Sequence, residues 1–238
     1  MPRLILFIAF ISIQFCWSQD LTVSEEILEE LETVVVKSDG QEYTFRVAYP
    51  KNYNPEQEYS CFIGLAGGGQ SLEIVNYCYA AWFRSGYFDD YFTVLPVMTN
   101  DSLNLKNFDL DQIDGMLTAI NENFLVKPNW IIGGTSNGGV AAFNFVAAFP
   151  NRFEGVIVAP GTLSESIIPN TEWSHLTVIL AYGDEDADSW IKAVKSSAKK
   201  LKKSVKSLSI VPLKGQGHIL PIHFNADKMY DPYFLDSK

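Results

Sequence analysis

Gly134-Thr135-Ser136-Asn137-Gly138 has the form G-x-S-x-G. It follows the apolar run Trp130 to Ile132 and precedes a small, apolar stretch from Val140 to Phe149. A serine between such a strand and such a helix occupies a strained turn that exposes its hydroxyl. Its neighbours must be small so that strand and helix can approach, and Gly133, Gly134, Gly138 and Gly139 supply that. Alone, the motif is weak, because glycine and serine are common. An ordinary glycine-rich turn, or an anion loop at a helix N-terminus, is written with the same letters. A phosphate loop would place Lys after the glycines, and Val140 stands there instead.

A serine hydroxyl is a weak nucleophile and needs a base, which needs an orienting acid. The chain has three histidines. His175 precedes or begins a strand and reads as structural. His218 follows the run Ser207 to Pro212 in Gly215-Gln216-Gly217-His218, where glycines let the backbone turn and present the ring. His223 competes from five residues on, near the terminal helix. Loop geometry favours His218. The i, i+5 spacing of His218 and His223, with no thiolate or carboxylate cluster beside them, argues against a metal. The acid lies in Gly183-Asp184-Glu185-Asp186-Ala187-Asp188, after the strand-like Val178 to Tyr182; three of these four carboxylates must be solvated or capping groups. For a developing oxyanion, one donor is the Asn137 N–H, directly after the nucleophile. Gly67-Gly68-Gly69, closing the run Cys61 to Leu65, offers the other through Gly68 or Gly69. One such donor contributes about 3 kcal/mol.

Short apolar runs alternating with helical patterns must position these groups, the signature of an α/β protein with a mostly parallel sheet. Thr33 to Lys37 and Tyr43 to Tyr49 read as a hairpin around Asp39-Gly40. Helices are expected around Asn76 to Phe83, from Asp109 to Phe124, from Val140 to Phe149 and from Trp190 to Leu201. The second carries a capping-box spacing at Asp109 and Gln112. Strands are expected at Cys61 to Leu65, Phe92 to Val97, Trp130 to Ile132, Gly155 to Ala159, His175 to Tyr182 and Ser207 to Pro212. The segment Val23 to Glu32 is ambiguous. Lysines 192 to 203 read as a solvated helix face and end.

With these elements in place, the chain resembles the α/β-hydrolase superfamily and, within it, small lidless secreted esterases. The resemblance covers nearly all of 19–238. It is carried by Ala66-Gly67-Gly68-Gly69-Gln70, Gly134-Thr135-Ser136-Asn137-Gly138, Gly183-Asp184-Glu185-Asp186 and Gly215-Gln216-Gly217-His218, in the order serine, acid, histidine. The stretch from Tyr49-Pro50 through Tyr53 also resembles esterases whose first strands form a hairpin. The family's acid usually stands three residues after the glycine, which implies Asp186. The family often has His-Gly where this chain has Ala66-Gly67, a departure that bears on subfamily and not on mechanism. The resemblance implies a Ser136–His218–Asp186 triad, a carboxylic ester or an amide as the bond cleaved, and no cofactor or metal. It also leaves room for a secreted binding protein of this fold without catalysis. Lids in such hydrolases are usually inserted after the strand that is here Gly155 to Ala159. Only Pro160 to Ser174 separates it from the next, so no large lid is expected, and the substrate would be a small ester or an ester-decorated polymer. Trp173 in that loop is expected in the core, with packing against a sugar ring as its other use.

Arg3, the apolar run Leu4 to Phe15 and the polar Gln19-Asp20 read as a secretory signal peptide, 1–18. About twelve apolar residues are too few to span a bilayer. The mature chain, 19–238, is then one domain, secreted or periplasmic. It keeps 17 of the 18 basic residues against 28 acids, so its charge is 17 − 28 = −11. Such a surface disfavours nucleic acid and anionic membranes. Cys61 and Cys78 are either a disulfide, which secretion permits, or two small buried residues. The sequence gives no oligomeric state.

Overall fold

A computed structural model describes residues 21–100 and 102–235. The expected signal peptide, 1–18, lies outside the described residues. The elements in chain order are α1 (Glu25–Leu28), β1 (Glu32–Ser38), β2 (Gln41–Ala48), β3 (Ser60–Leu65), α2 (Leu72–Cys78), β4 (Tyr91–Val97), α3 (Leu110–Asn123), β5 (Trp130–Gly134), α4 (Asn137–Ala148), β6 (Phe153–Val158), β7 (Thr177–Gly183), α5 (Asp188–Leu201), β8 (Ser207–Leu213) and α6 (Asp227–Phe234).

The eight strands form one sheet in the order β1-β2-β4-β3-β5-β6-β7-β8. β1 and β2 are the expected hairpin, with Ser38 opposite Gln41 and β2 antiparallel to β4. Asp39 and Gly40 both take positive φ, 50° and 78°, as the favoured two-residue hairpin turn demands. From β4 onward every pairing is parallel. The central strands are buried on both faces, which is why they read as continuous apolar runs. Their residues still alternate: Ile63, Val156, Val178 and Leu180 face one core with α3, α4 and α5. Phe62, Ile157, Ile179 and Ala181 face a second core with α2 and α6.

That alternation decides the cysteines. Cys61 belongs to the first core and Cys78 to the second, so the sheet stands between them. Both are free, buried thiols. Trp173 is likewise interior, 2% exposed and stacked on Phe143 with centroids 6.4 Å apart. Burying a side chain of that size contributes about 2–3 kcal/mol, so its reading as a core residue holds and the sugar platform does not.

Three helix starts differ from expectation, that of α5 by only two residues, at Asp188 rather than Trp190. The helix expected at Asn76 begins at Leu72, with Ser71 as N-cap. Leu72 is 48% exposed, so the apolar periodicity starts late and conceals the first turn. Beyond Cys78 the chain widens into a π-helical turn, Tyr79–Phe83, all five residues of which are buried. The helix expected from Val140 begins at Asn137, because its glycines carry no side chains that could register a period. The ambiguous Val23 to Glu32 contains the short α1 and, at Glu32, the first residue of β1. Between β6 and β7 the chain is loop with one 3-10 turn, Thr171–Trp173; no large lid is built there.

Candidate active site

In a parallel sheet the chain leaves every strand at the same end, and here β3, β5, β7 and β8 deliver the four expected segments to the carboxyl end of the sheet. β5 ends at Gly134, and Ser136 turns the chain at φ 53°, ψ −118° into α4. A non-glycine residue at positive φ costs on the order of 1–3 kcal/mol, held by its surroundings. The holding contacts are Thr135 N–H to the Leu65 carbonyl at 3.1 Å, Ser136 N–H to the Pro160 carbonyl at 2.7 Å and Gly138 N–H to the Thr135 carbonyl at 2.8 Å. The turn is so tight that a Cβ on Gly134 would collide with the Gly138 carbonyl, and one on Gly138 with the Leu65 carbonyl. These glycines are the cost of bringing helix against strand.

His218 sits in the loop after β8, where Gly215 takes φ 71°. This loop is fastened to the one after β7. Gly215 N–H donates to Asp184 Oδ1 at 2.7 Å, and Glu185 N–H donates to the Gln216 carbonyl at 2.9 Å. Asp184 is therefore a loop fastener. Asp186 turns inward, its side chain only 1% exposed, and its Oδ1 accepts from Ala187 N–H at 2.6 Å. His218 Nδ1 lies 2.9 Å from Asp186 Oδ2 and 3.1 Å from Oδ1. His218 Nε2 lies 3.0 Å from Ser136 Oγ. The imidazole thus bridges hydroxyl and carboxylate across 82 and 32 residues of chain. Asp188 is exposed on the first turn of α5, 3.9 Å from Lys192. His223 is exposed in a turn before α6 rather than on it. His175 Nε2 meets the Phe153 and Pro150 carbonyls at 3.0 and 3.2 Å, a structural role.

The glycine loop after β3 is fixed by a residue the sequence did not single out. Gln70 is fully buried. Its Nε2 donates to the carbonyls of Ala66, Gly67 and Gly68 at 3.0, 3.3 and 2.8 Å, and its Oε1 accepts from Leu105 N–H at 3.2 Å. Asn104 and Asn137 side chains also donate to the Gly68 carbonyl, at 2.9 and 3.0 Å. Across a trans peptide the N–H opposes the carbonyl, so holding the Gly67 carbonyl against Gln70 turns the Gly68 N–H away from it. Gly67 and Gly68 line a cavity of about 220 Å³ with Ser136 and His218; Gly69 does not. The Asn137 N–H heads α4, where a helix leaves its first donors unpaired. The loop carbonyls that point inward are legible only in three dimensions, since a glutamine after glycines reads as an ordinary loop residue. Gln70→Leu should strand the Ala66 carbonyl and the Leu105 N–H, while the Gly67 and Gly68 carbonyls keep other donors, at a cost of at least about 2 kcal/mol. The expected result is a Tm lower by about 4–8 °C, read by calorimetry, together with reduced turnover.

Two more neighbours escaped the sequence. Trp190, read as part of the apolar stripe of α5, packs on His218 with ring centroids 4.9 Å apart. Lys106 Nζ approaches Asn137 Oδ1 at 3.1 Å. Cys78 lines the same cavity, but burial pushes its thiol up to about 12, partly offset by a backbone hydrogen bond from Gly67. It stays a neutral thiol, a poor nucleophile. A larger cavity, about 600 Å³, is bordered by Glu30, Arg84 and Asp227 and touches none of Ser136, Asp186, His218 and the glycine loop. Among the described residues, no group of His, Cys, Asp and Glu could hold a metal.

No family model matches the sequence, and no curated protein matches it. Solved structures do. A CIB-like hydrolase predicted from Thermoplasma acidophilum is similar at TM-score 0.63 and 16% identity, over 87% of this chain and 99% of that one. A feruloyl esterase module from Clostridium thermocellum is similar at TM-score 0.59 and 13% identity, over 84% of each chain. A thermostable esterase is similar at TM-score 0.60 and 18% identity, over 79% of this chain; the chain spans 56% of that esterase's length. At such identities the likeness is one of fold. Sheet order, strand directions and these neighbours together give the chain the α/β-hydrolase fold.

Proposed function

We propose that the protein is a secreted serine hydrolase that cleaves carboxylic esters. The observation that carries this reading is the single imidazole within hydrogen-bonding distance of both the Ser136 hydroxyl and the buried Asp186 carboxylate. His218 Nε2 takes the Ser136 proton as Oγ attacks the ester carbonyl carbon. The oxyanion forms against the Asn137 and Gly68 N–H groups. His218 then returns the proton to the departing alkoxide, leaving an acyl group on Oγ. Water, deprotonated by the same imidazole, releases the acid. Asp186 holds Nδ1 protonated, so that Nε2 is free to accept, and balances the imidazolium as it forms. The names of the structural neighbours, two of them esterases, also favour an ester as the bond.

The short loop between β6 and β7 suits soluble esters with short acyl groups, or acyl groups displayed on extracellular polymers. The test is purified, exported protein, starting near Gln19, assayed on ester and peptide panels with Ser136→Ala as control. Ester turnover that vanishes in the variant is expected, with no jump in rate when a long-chain ester passes its solubility limit. Peptide cleavage alone would reassign the bond. No turnover, with a ligand bound intact, would mark a binding protein.

A further inference from the structure

The two N–H groups assigned to the oxyanion belong to segments far apart in the chain, the glycine loop after β3 and the start of α4. Close backbone packing between these segments reaches Gly67. A Cβ there would stand 3.3 Å from the Thr135 carbonyl oxygen and 3.4 Å from Ser136 Cβ, whereas one on Gly68 would meet Ile74. Among the described residues, no backbone hydrogen bond joins Gly68 to the turn at Ser136. The direct link is the Asn137 side chain. Its Nδ2 donates to the Gly68 carbonyl at 3.0 Å, and its Oδ1 accepts from Lys106 Nζ at 3.1 Å. The two partners fix which way the amide faces, since an ammonium only donates and a carbonyl only accepts. Asparagine alone among side chains of this length and shape satisfies both: aspartate would set an oxygen against the Gly68 carbonyl, and leucine makes neither bond. Lys106 is itself anchored to α4, its carbonyl accepting from Asn144 Nδ2 at 2.8 Å. Asn104, two residues earlier, donates to the same Gly68 carbonyl at 2.9 Å. The three segments thus close a ring of hydrogen bonds that passes through that carbonyl.

We propose that the Asn137 side chain is a positioning residue that spaces the Gly68 N–H against the Asn137 N–H, with Lys106 holding its amide in place. The proposal rests on the reading of Ser136 as nucleophile, which uses only the backbone of Asn137. Oxyanion donors act by standing in place before charge develops. A misplacement of about 1 Å can cost about 100-fold in rate. Gln70 ties the glycine loop to itself and to Leu105, and Asn104 ties it to the segment before α3. Without the Asn137 amide those ties remain, so the loop keeps its fold and gains freedom only relative to Ser136. The loss therefore falls on the transition state and not on ground-state binding.

The test uses Asn137→Leu, which keeps the shape and removes both hydrogen bonds, and Asn137→Ala, which removes the side chain. kcat and KM are measured on p-nitrophenyl acetate and butanoate, beside the inhibition constant of an alkyl trifluoromethyl ketone. Ser136 Oγ adds to the ketone carbon as its proton passes to His218, and the adduct's oxyanion meets the two donors without turnover. Acylation and deacylation both pass through an oxyanion, so kcat falls whichever is slower. Each variant should lower kcat by about 5–50-fold and shift KM by no more than about threefold. The ketone's inhibition constant should rise in step with the loss in kcat/KM. An inhibition constant within about twofold of wild type in a folded variant overturns the proposal, whatever happens to turnover. A loss carried by KM alone overturns it too. If neither variant folds, Lys106→Met decides: freed from the ammonium, the amide can turn away from Gly68. Ketone binding weakened by more than about twofold is then expected, and an unchanged constant overturns the proposal. Wild type that neither hydrolyses the esters nor binds the ketone, or a Ser136→Ala variant that hydrolyses them equally, would defeat the nucleophile assignment itself and the proposal with it.

Discussion

Ser136→Ala should lower kcat on any ester the protein hydrolyses by about 10⁴-fold or more, and leave the fold intact. On the proposed mechanism, removing the hydroxyl takes away the atom that would form the acyl bond, and the oxyanion donors alone would retain only a small part of the acceleration. The structural cost is small because the one side-chain hydrogen bond of Ser136 is to His218. The strained turn is held by backbone contacts that alanine keeps, Ser136 N–H to the Pro160 carbonyl among them. A fluorophosphonate should label the wild type covalently, with the adduct mapped by mass to Ser136, and should leave Ser136→Ala unlabelled. Labelling that persists in the variant would move the nucleophile elsewhere. Cys78 is a poor substitute, since its buried thiol is pushed up to about 12.

How far the sequence discloses this site follows from what a linear chain can record. The central strands were legible because burial on both faces removes polar residues from them, as in Cys61 to Leu65 and Val178 to Tyr182. The turn at Ser136 was legible because sterics demand small residues on both sides of it. Groups acting across long stretches of chain leave no such trace. Gln70 reaches back to three carbonyls of its own loop and forward to Leu105, and nothing in its spacing requires either. Trp190 satisfies the apolar period of α5 and also covers His218, and periodicity records only the first. The start of α2 was hidden by the exposure of Leu72, and the π-helical turn after it by the lack of any sequence mark that separates it from a helix. The cysteines are ambiguous in the sequence, which does not record that the Cys61 side chain and α2, with Cys78, lie on opposite faces of the sheet.

Asp186→Asn should lower kcat by about 10⁴-fold while Asp184→Asn changes it only a few-fold, although the two acids stand two residues apart. Asp186 has its side chain buried, accepts from Ala187 N–H and lies against His218 Nδ1. An amide there can satisfy the Ala187 N–H with its oxygen, but it turns its NH₂ toward the ring. The imidazole then accepts at Nδ1 and carries its proton on Nε2, the atom that must receive the Ser136 proton. The fold is kept and the base is lost, so Asp186→Asn should show unchanged thermal unfolding beside its lost turnover. At Asp184 the carboxylate accepts one backbone bond, from Gly215 N–H, and an asparagine oxygen accepts it as well. Asp184→Ala removes that acceptor and loosens the loop bearing His218, so it should cost more turnover than Asp184→Asn yet far less than Asp186→Asn. Steady-state kinetics of the three variants on one ester, each checked by its unfolding curve, separates the roles. If Asp184→Asn proves the crippling change and Asp186→Asn the mild one, the orienting acid is Asp184, and the contact between Asp186 and His218 serves only to pin the loop.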